Sequence, residues 1–290
     1  MFQIVTENTC DMEMSWLKEH QVGLLYLSTI IGEDVYNADH PLDNKEFYRM
    51  LAEGAKPSTS QVNPEEATEY FENHISEADE FLYIGFASGL SGTVGSVRVA
   101  VEELREKYPE KRIEVIDTQC ASAGEALMVY HAVRLRDEGK TLDETADWIR
   151  EYAPHVVHAV TVDSLHDLWR GGRVSRSSAL VGDLVGIKPI IYVDDAGKLV
   201  VAEKIRGRKK ALNTLVDYMD ALAGEYRDLN ETMVTITHGD VPEDAEYVKE
   251  QIRERFGLNH FMITNAGPII GAHTGPTLVI VSFFGKERHR

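Results

Sequence analysis

Short apolar runs that alternate with helix-length amphipathic segments constrain this chain more than any other feature. Residues 2–5, 81–87 and 113–117 are dominated by Phe, Ile and Val, and the segments 14–20, 93–108 and 123–138 that follow them have helical period. A parallel strand pair needs a long crossover, usually a helix, so this order predicts βαβ units on a parallel sheet. Residues 22–31 read as a further β-branched strand turning at Gly32-Glu33-Asp34, and 42–53, 65–78 and 142–152 as helices. The pattern changes beyond Pro154. A strand over 156–162 and a short helix over 164–170 end at Gly171-Gly172. Residues 187–193 and 199–203 flank Asp194-Asp195-Ala196-Gly197, a hairpin signal. Helices over 209–226 and 243–256 and strands over 233–237, 261–265 and 278–284 complete the half. Hairpins interleaved with helices predict a mixed sheet.

At about 150 residues per domain, 290 residues suit two domains. The expectation is α/β throughout: a mainly parallel sheet flanked by helices over residues 1–154, and a mixed sheet with helices over 155–290. Thirty Lys plus Arg against 48 Asp plus Glu leave a net charge of −18. That field repels phosphate backbones and anionic lipid, which argues against nucleic-acid partners. The longest apolar stretch, near 278–284, falls well short of the roughly 18 residues a membrane span needs, so no stable membrane insertion is expected. The opening residues carry no basic, apolar signal-peptide pattern. Cys10 and Cys120 form neither a CxxC pair nor a zinc spacing, so two free thiols and a cytoplasmic location are expected. No His, Asp or Glu group has metal-ligand spacing, so neither metal nor cofactor is expected.

Four segments carry candidate chemistry. Asn63-Pro64-Glu65-Glu66 has the residues of a capping box with proline in the first turn. It delivers Ser58-Thr59-Ser60-Gln61 as a polar loop, either an ordinary turn or hydroxyls and amides offered to an anion. Ser88-Gly89-Leu90-Ser91-Gly92-Thr93 follows a strand and opens a helix, where free N–H groups and the helix dipole favour anions. It is either a structural βα turn or such a site. It fits neither G-x-S-x-G nor G-x-G-x-x-G, and Gly139-Lys140-Thr141 lacks a P-loop because Arg134 stands where the first glycine belongs. Three glycines and two prolines in residues 267–276 predict a loop between strands with His273 at its tip. That His is either a surface side chain or one held rigidly to meet an acid group. Lys204-Ile205-Arg206-Gly207-Arg208-Lys209-Lys210 places five cations in seven residues, either a solvated helix start or a docking patch.

Taken in order, these pieces resemble the DegV family, the fatty-acid-binding B subunits of bacterial fatty-acid kinase. The resemblance rests on Thr59-Ser60-Gln61, Gly89-Leu90-Ser91-Gly92-Thr93, Val115-Ile116-Asp117, Ala121-Ser122-Ala123-Gly124, Gly171-Gly172-Arg173-Val174-Ser175, Lys188-Pro189-Ile190, Arg206-Gly207-Arg208-Lys209-Lys210-Ala211-Leu212, His238-Gly239-Asp240 and Gly271-Ala272-His273-Thr274-Gly275-Pro276. The chain departs from the family with Glu7-Asn8 in place of Asp-Ser and with Thr277 where glycine is common.

The resemblance implies a long-chain fatty acid buried between two domains, its carboxylate held by Thr59, Ser91 and His273. Ser60, Gly92, Thr93 and Thr274 belong to the same ligand loops. It implies no catalytic residue in this chain. A partner kinase phosphorylates the carboxylate with ATP, and an acyl-phosphate acyltransferase takes the product into phospholipid synthesis. Arg206, Arg208, Lys209, Lys210 and Arg173 are the candidate docking cations. His273 is expected to stand in place before the ligand arrives and to gain a proton as the carboxylate binds. The rival reading is a hydrolase of small acyl esters, with Ser91, His273 and Asp117 or Asp240 as a triad.

Overall fold

The computed structural model describes residues 2–175 and 186–289. In the first half the chain runs β1 (Gln3–Glu7), α1 (Met14–Glu19), β2 (Val22–Leu25), β3 (Ser28–Ile31), β4 (Asp34–Tyr36), α2 (Asn44–Ala52), β5 (Ser58–Ser60), α3 (Pro64–His74), β6 (Glu80–Gly85), α4 (Thr93–Lys107), β7 (Arg112–Asp117), α5 (Ala123–Asp137) and α6 (Leu142–Tyr152). β2-β1-β6-β7 form the expected parallel sheet, with Ile4 opposite both Val22 and Leu82. The apolar run of β6 is buried on both faces, as a central parallel strand requires.

A small antiparallel sheet, β4-β3-β5, was not anticipated. The expected strand 22–31 breaks after Leu25. β2 stays in the parallel sheet while β3 turns away, its Thr29 opposite Tyr36 and Thr59. The Asn8 side chain fixes the break: its Oδ1 accepts the Leu27 N–H at 2.9 Å, and its Nδ2 donates to the Leu27 carbonyl at 3.1 Å. The expected loop 58–61 is correspondingly an edge strand through Ser60. The capping box that follows is present, with Asn63 and Glu66 bonding each other's backbone N–H.

The second half runs β8 (Val156–Thr161), α7 (His166–Arg170), β9 (Ile187–Val193), β10 (Leu199–Arg206), α8 (Arg208–Leu222), α9 (Arg227–Thr232), β11 (Val234–His238), α10 (Pro242–Phe256), β12 (Phe261–Asn265), α11 (Pro268–Thr274) and β13 (Val279–Phe284). The mixed sheet has the order β10-β9-β8-β13-β11-β12. The helix expected over 209–226 ends at Leu222, and a separate short helix, α9, packs on β13. Among the described residues no helix is long and apolar enough to cross a membrane, and no group of three potential metal ligands occurs.

Helix α5 lies between the two large sheets, against β1 and β6 on one side and β8, β11 and β13 on the other. Twelve of its 15 residues are buried. Only Tyr130, Arg134 and Asp137, spaced along one stripe, reach solvent, and the rest of the helix lies inside the protein. At Gly124 a Cβ would stand 2.0 Å from His158 Nε2, so only glycine permits this approach of helix to sheet.

Three acids are buried beside α5. Glu7 accepts from the Tyr83 hydroxyl and, at 3.1 Å, from the Phe86 N–H. Glu125 is bonded to the hydroxyls of Thr6 and Thr9, each at 2.9 Å. Asp11 accepts from Ser122 at 2.5 Å and from the Gly267 N–H at 2.8 Å. Burial pushes Glu7 and Asp11 each up to about 7, and Glu125 well above the carboxylate range. Between the ordinary value of 4.5 and about 7, folded Glu7 keeps a proton that the unfolded chain has lost. Stability from this group is therefore present at low pH and lost as pH rises through about 7. Glu7→Gln has no proton to lose. We expect it to gain on the wild type, by roughly 1–3 kcal/mol, between about pH 5 and pH 8 in urea unfolding. A stability difference that is the same at both pH values would contradict the neutral buried acid.

Candidate functional site

The segment expected to be a loop around His273 is a helix. Pro268 stands in the first turn of α11, and Gly275, at φ +73, ends it. Proline at the start and glycine past the end are the ordinary signals for a short helix, so this pattern was readable as one. Gly271 admits the Phe47 ring, since a Cβ there would lie 2.4 Å from Phe47 Cε1. His273 falls in the last turn, half-buried, with Nε2 2.8 Å from Thr59 Oγ1. Its ring lies over Gly171, where a Cβ would stand 2.1 Å from Nδ1. Nδ1 has no hydrogen-bond partner. The glycine pair thus has two uses: Gly171 makes room for the imidazole, and Gly172 takes a φ of +77.

Ser91 sits in the turn between β6 and α4. Its Oγ lies 3.0 Å from the Thr93 hydroxyl and accepts the Thr93 N–H at 3.3 Å. Thr93 itself is buried at the helix start. Gly89 lets the β9–β10 hairpin tip approach, since a Cβ would stand 2.4 Å from the Ala196 carbonyl oxygen. Thr59, Ser60, Ser91, Gly92, His273 and Thr274 all line one cavity of about 620 Å³. Most of the remaining wall is apolar, including Phe86, Val160, Ile191, Val193, Leu199, Leu278 and Ile280. A second cavity, of about 520 Å³ and lined by Met12, Leu17, Tyr26 and Leu42, shares Leu27 and Ile269 with the first.

Of the two cations beside His273, sequence reasoning missed Arg170 and gave Arg173 a docking role. Arg170 donates to the carbonyls of Pro57 (2.6 Å) and Ala272 (2.8 Å). Arg173 donates to the carbonyls of Leu90 (3.0 Å) and Gly171 (2.5 Å), and lines the cavity. Arg173 is thus part of the cavity wall, which corrects its grouping with the surface cluster. Arg208 also differs from the reading as a free docking cation. It pairs with Asp244 at 2.7 Å and Asp163 at 3.5 Å and donates to the Thr277 carbonyl. Arg206, Lys209 and Lys210 are exposed.

Burial pushes His273 down to about 4, and Arg173 and Arg170 push the same way. The unliganded site therefore holds a neutral imidazole at neutral pH. The guanidiniums of Arg173 and Arg170 supply positive potential beside it. The arrangement offers hydroxyls, one imidazole and nearby positive charge to an anion. It does not form a triad. His273 Nε2 meets Thr59, Ser91 bonds Thr93, and Asp117 accepts from the Ser88 and Gln119 N–H groups at 3.3 and 3.1 Å.

The contact of Gly171 with the imidazole gives a direct test. Gly171→Ala should cost roughly 1–3 kcal/mol by overpacking. Adding His273→Ala should restore most of that loss, because the clash partner is gone. Strict additivity in this double-mutant cycle, measured by urea unfolding, would mean that the two residues do not press on each other.

Comparison with known proteins places this geometry in a family. The family model described as uncharacterised protein, DegV family, matches residues 1–286. The DegV domain-containing protein CPE0026 of Clostridium perfringens is 40% identical over 99% of this chain and 98% of its own length. YteA of Lactococcus lactis is 35% identical over 99% of both chains. Among solved structures, a DegV family protein from Thermus thermophilus, described for its fatty acid binding, gives a TM-score of 0.85 at 26% identity, covering 98% of this chain and 100% of that one. DegV of Bacillus subtilis, described as a fatty acid binding protein, gives 0.84 at 25% identity, covering 98% and 99%. With the match running through both large sheets and through the segments that carry Thr59, Ser91 and His273, the chain belongs to the DegV family.

Proposed function

We propose that this protein binds a long-chain fatty acid in the 620 Å³ cavity, its carboxylate at Thr59, Ser91 and His273, and presents that carboxylate to a partner kinase. The observation that carries the reading is the 2.8 Å contact of Thr59 with His273 on the wall of an otherwise largely apolar cavity. The fatty-acid binding described for the Thermus thermophilus and Bacillus subtilis relatives supports it. The ligand lies between residues 1–154 and 155–290, both of which contribute walls.

Magnitudes divide the work. At about 0.8 kcal/mol per methylene, some 14 methylenes contribute on the order of 11 kcal/mol. Lost translational and rotational freedom offsets a good part of that. The tail supplies affinity and the polar trio supplies register. Arg173 and Arg170 are already bonded to backbone carbonyls, so they lend potential without closing a bidentate clamp on the acid. A carboxylate oxygen stays free to attack the γ-phosphorus of ATP held by the kinase. The P–O bond to ADP breaks, ADP leaves, and an acyl phosphate forms. An acyltransferase then uses that product in phospholipid synthesis in the cytoplasm. The exposed Arg206, Lys209 and Lys210 are the docking cations for the kinase, against a chain charge of −18.

Mass spectrometry of organic extracts from the purified protein should find a co-purified long-chain fatty acid. In an acyl-phosphate assay with the kinase, Ser91→Ala should lower product at least tenfold while the fold persists. Reversing Arg206, Lys209 and Lys210 to Glu should weaken coupling most at low salt. An empty protein that turns over small esters and forms an acyl-Ser91 intermediate would overturn the carrier reading in favour of the hydrolase.

A further inference from the structure

The cavity has a second polar face that the carboxylate trio leaves unused. Thr9, Ser122 and His158 line it, and all three are buried. They stand on the turn after β1, at the start of α5 and on β8, apart from the elements that carry Thr59, Ser91 and His273. Their hydrogen positions leave specific valences open. His158 Nε2 accepts the Ala121 N–H at 3.0 Å, so Nε2 carries no proton. Burial keeps the ring neutral. A neutral imidazole holds one proton, which therefore sits on Nδ1, and Nδ1 has no hydrogen-bond partner.

The Thr9 hydroxyl is complementary to that donor. Thr9 directs its single proton to Glu125 Oε2 at 2.9 Å, whereas Ser122 shares a proton with Asp11 Oδ2 at 2.5 Å. The Thr9 oxygen therefore keeps a lone pair for a ligand but no proton. A plain methylene chain leaves the His158 donor and the Thr9 acceptor unmatched. An alcohol, which donates one hydrogen bond and accepts another, matches them.

We propose that the cavity selects acyl chains bearing a hydroxyl group along their length, the hydroxyl accepting from His158 Nδ1 and donating to Thr9 Oγ1. This rests on the fatty-acid reading of the same cavity. A site built to hydrogen-bond a hydroxyl discriminates against the analogue that lacks it, because its own buried groups are then left unpaired.

The test is displacement of a fluorescent fatty acid from the purified protein by stearic acid and by hydroxystearic acids with the hydroxyl at successive chain positions. At least one positional isomer should bind about tenfold more tightly than stearic acid, equivalent to one net hydrogen bond. That ratio should fall towards one in Thr9→Val and in His158→Phe, and persist in Thr9→Ser. If stearic acid displaces the probe and every isomer binds no more tightly, the hydroxyl site is overturned while fatty-acid binding stands. If neither class displaces it, the fatty-acid reading itself fails. The wild-type comparison decides even where a variant does not fold, and a preference that survives both variants overturns the assignment to these residues.

Discussion

Helix α5 has a sheet on either side, and its burial governs where a cavity can form. Buried over most of its surface, the helix holds the two large sheets at a fixed spacing through side chains such as Leu127, Met128 and Val129. Gly124 brings its first turn against His158, and the residues just before it, Ala121 and Ser122, become cavity wall. The chain enters the helix through two non-glycine residues at positive φ, Gln119 (+52) and Ser122 (+48). Such conformations persist only where surroundings over-determine them. Here the buried Arg288 guanidinium donates to the carbonyls of Gln119 and Ala153 at 2.6 and 2.7 Å. A residue near the chain's end therefore holds in place the loop that shapes the ligand chamber.

The electrostatics follow from the same enclosure. A chain of net charge −18 presents a cavity whose nearest charges at His273 are the guanidiniums of Arg170 and Arg173. Burial, reinforced by their potential, keeps the imidazole neutral, and that potential makes the mouth receptive to an anion. Their hydrogen bonds to backbone carbonyls keep them from enclosing it. The acids behind the cavity are the counterpart. Glu7, Glu125 and Asp11 are pushed upward by burial, so they add little negative charge opposite the carboxylate at neutral pH and below.

Local signals were legible wherever local physics decides structure. The βα alternation, the Asn63–Glu66 capping box and the Asp194–Gly197 hairpin depend on near neighbours. The hairpin turn closes with Asp194 accepting from Ala196 and Lys198 N–H groups, and Gly197 takes φ +70. The break after Leu25 was not legible, because Asn8 enforces it from 19 positions away. Nor was the meeting of Thr59, Gly171 and His273, which requires three elements distant in sequence. Around His273 the proline and glycine were read as loop formers when their spacing marks a helix start and stop. The polar face of Thr9, Ser122 and His158 left one trace, a Glu125 inside the apolar run of α5, which signals a buried polar network.

In the proposed complex the carboxylate of a long-chain fatty acid lies on the cavity wall formed by Thr59, Ser91 and His273, with its tail along Phe86, Val160 and Ile191. A crystal structure of the protein with oleic acid tests this most directly. The carboxylate is expected within hydrogen-bonding distance of the Thr59 and Ser91 hydroxyls and of His273 Nε2. Oleic acid in the neighbouring cavity of Met12, Leu17, Tyr26 and Leu42, with the Thr59–His273 contact intact, would contradict it.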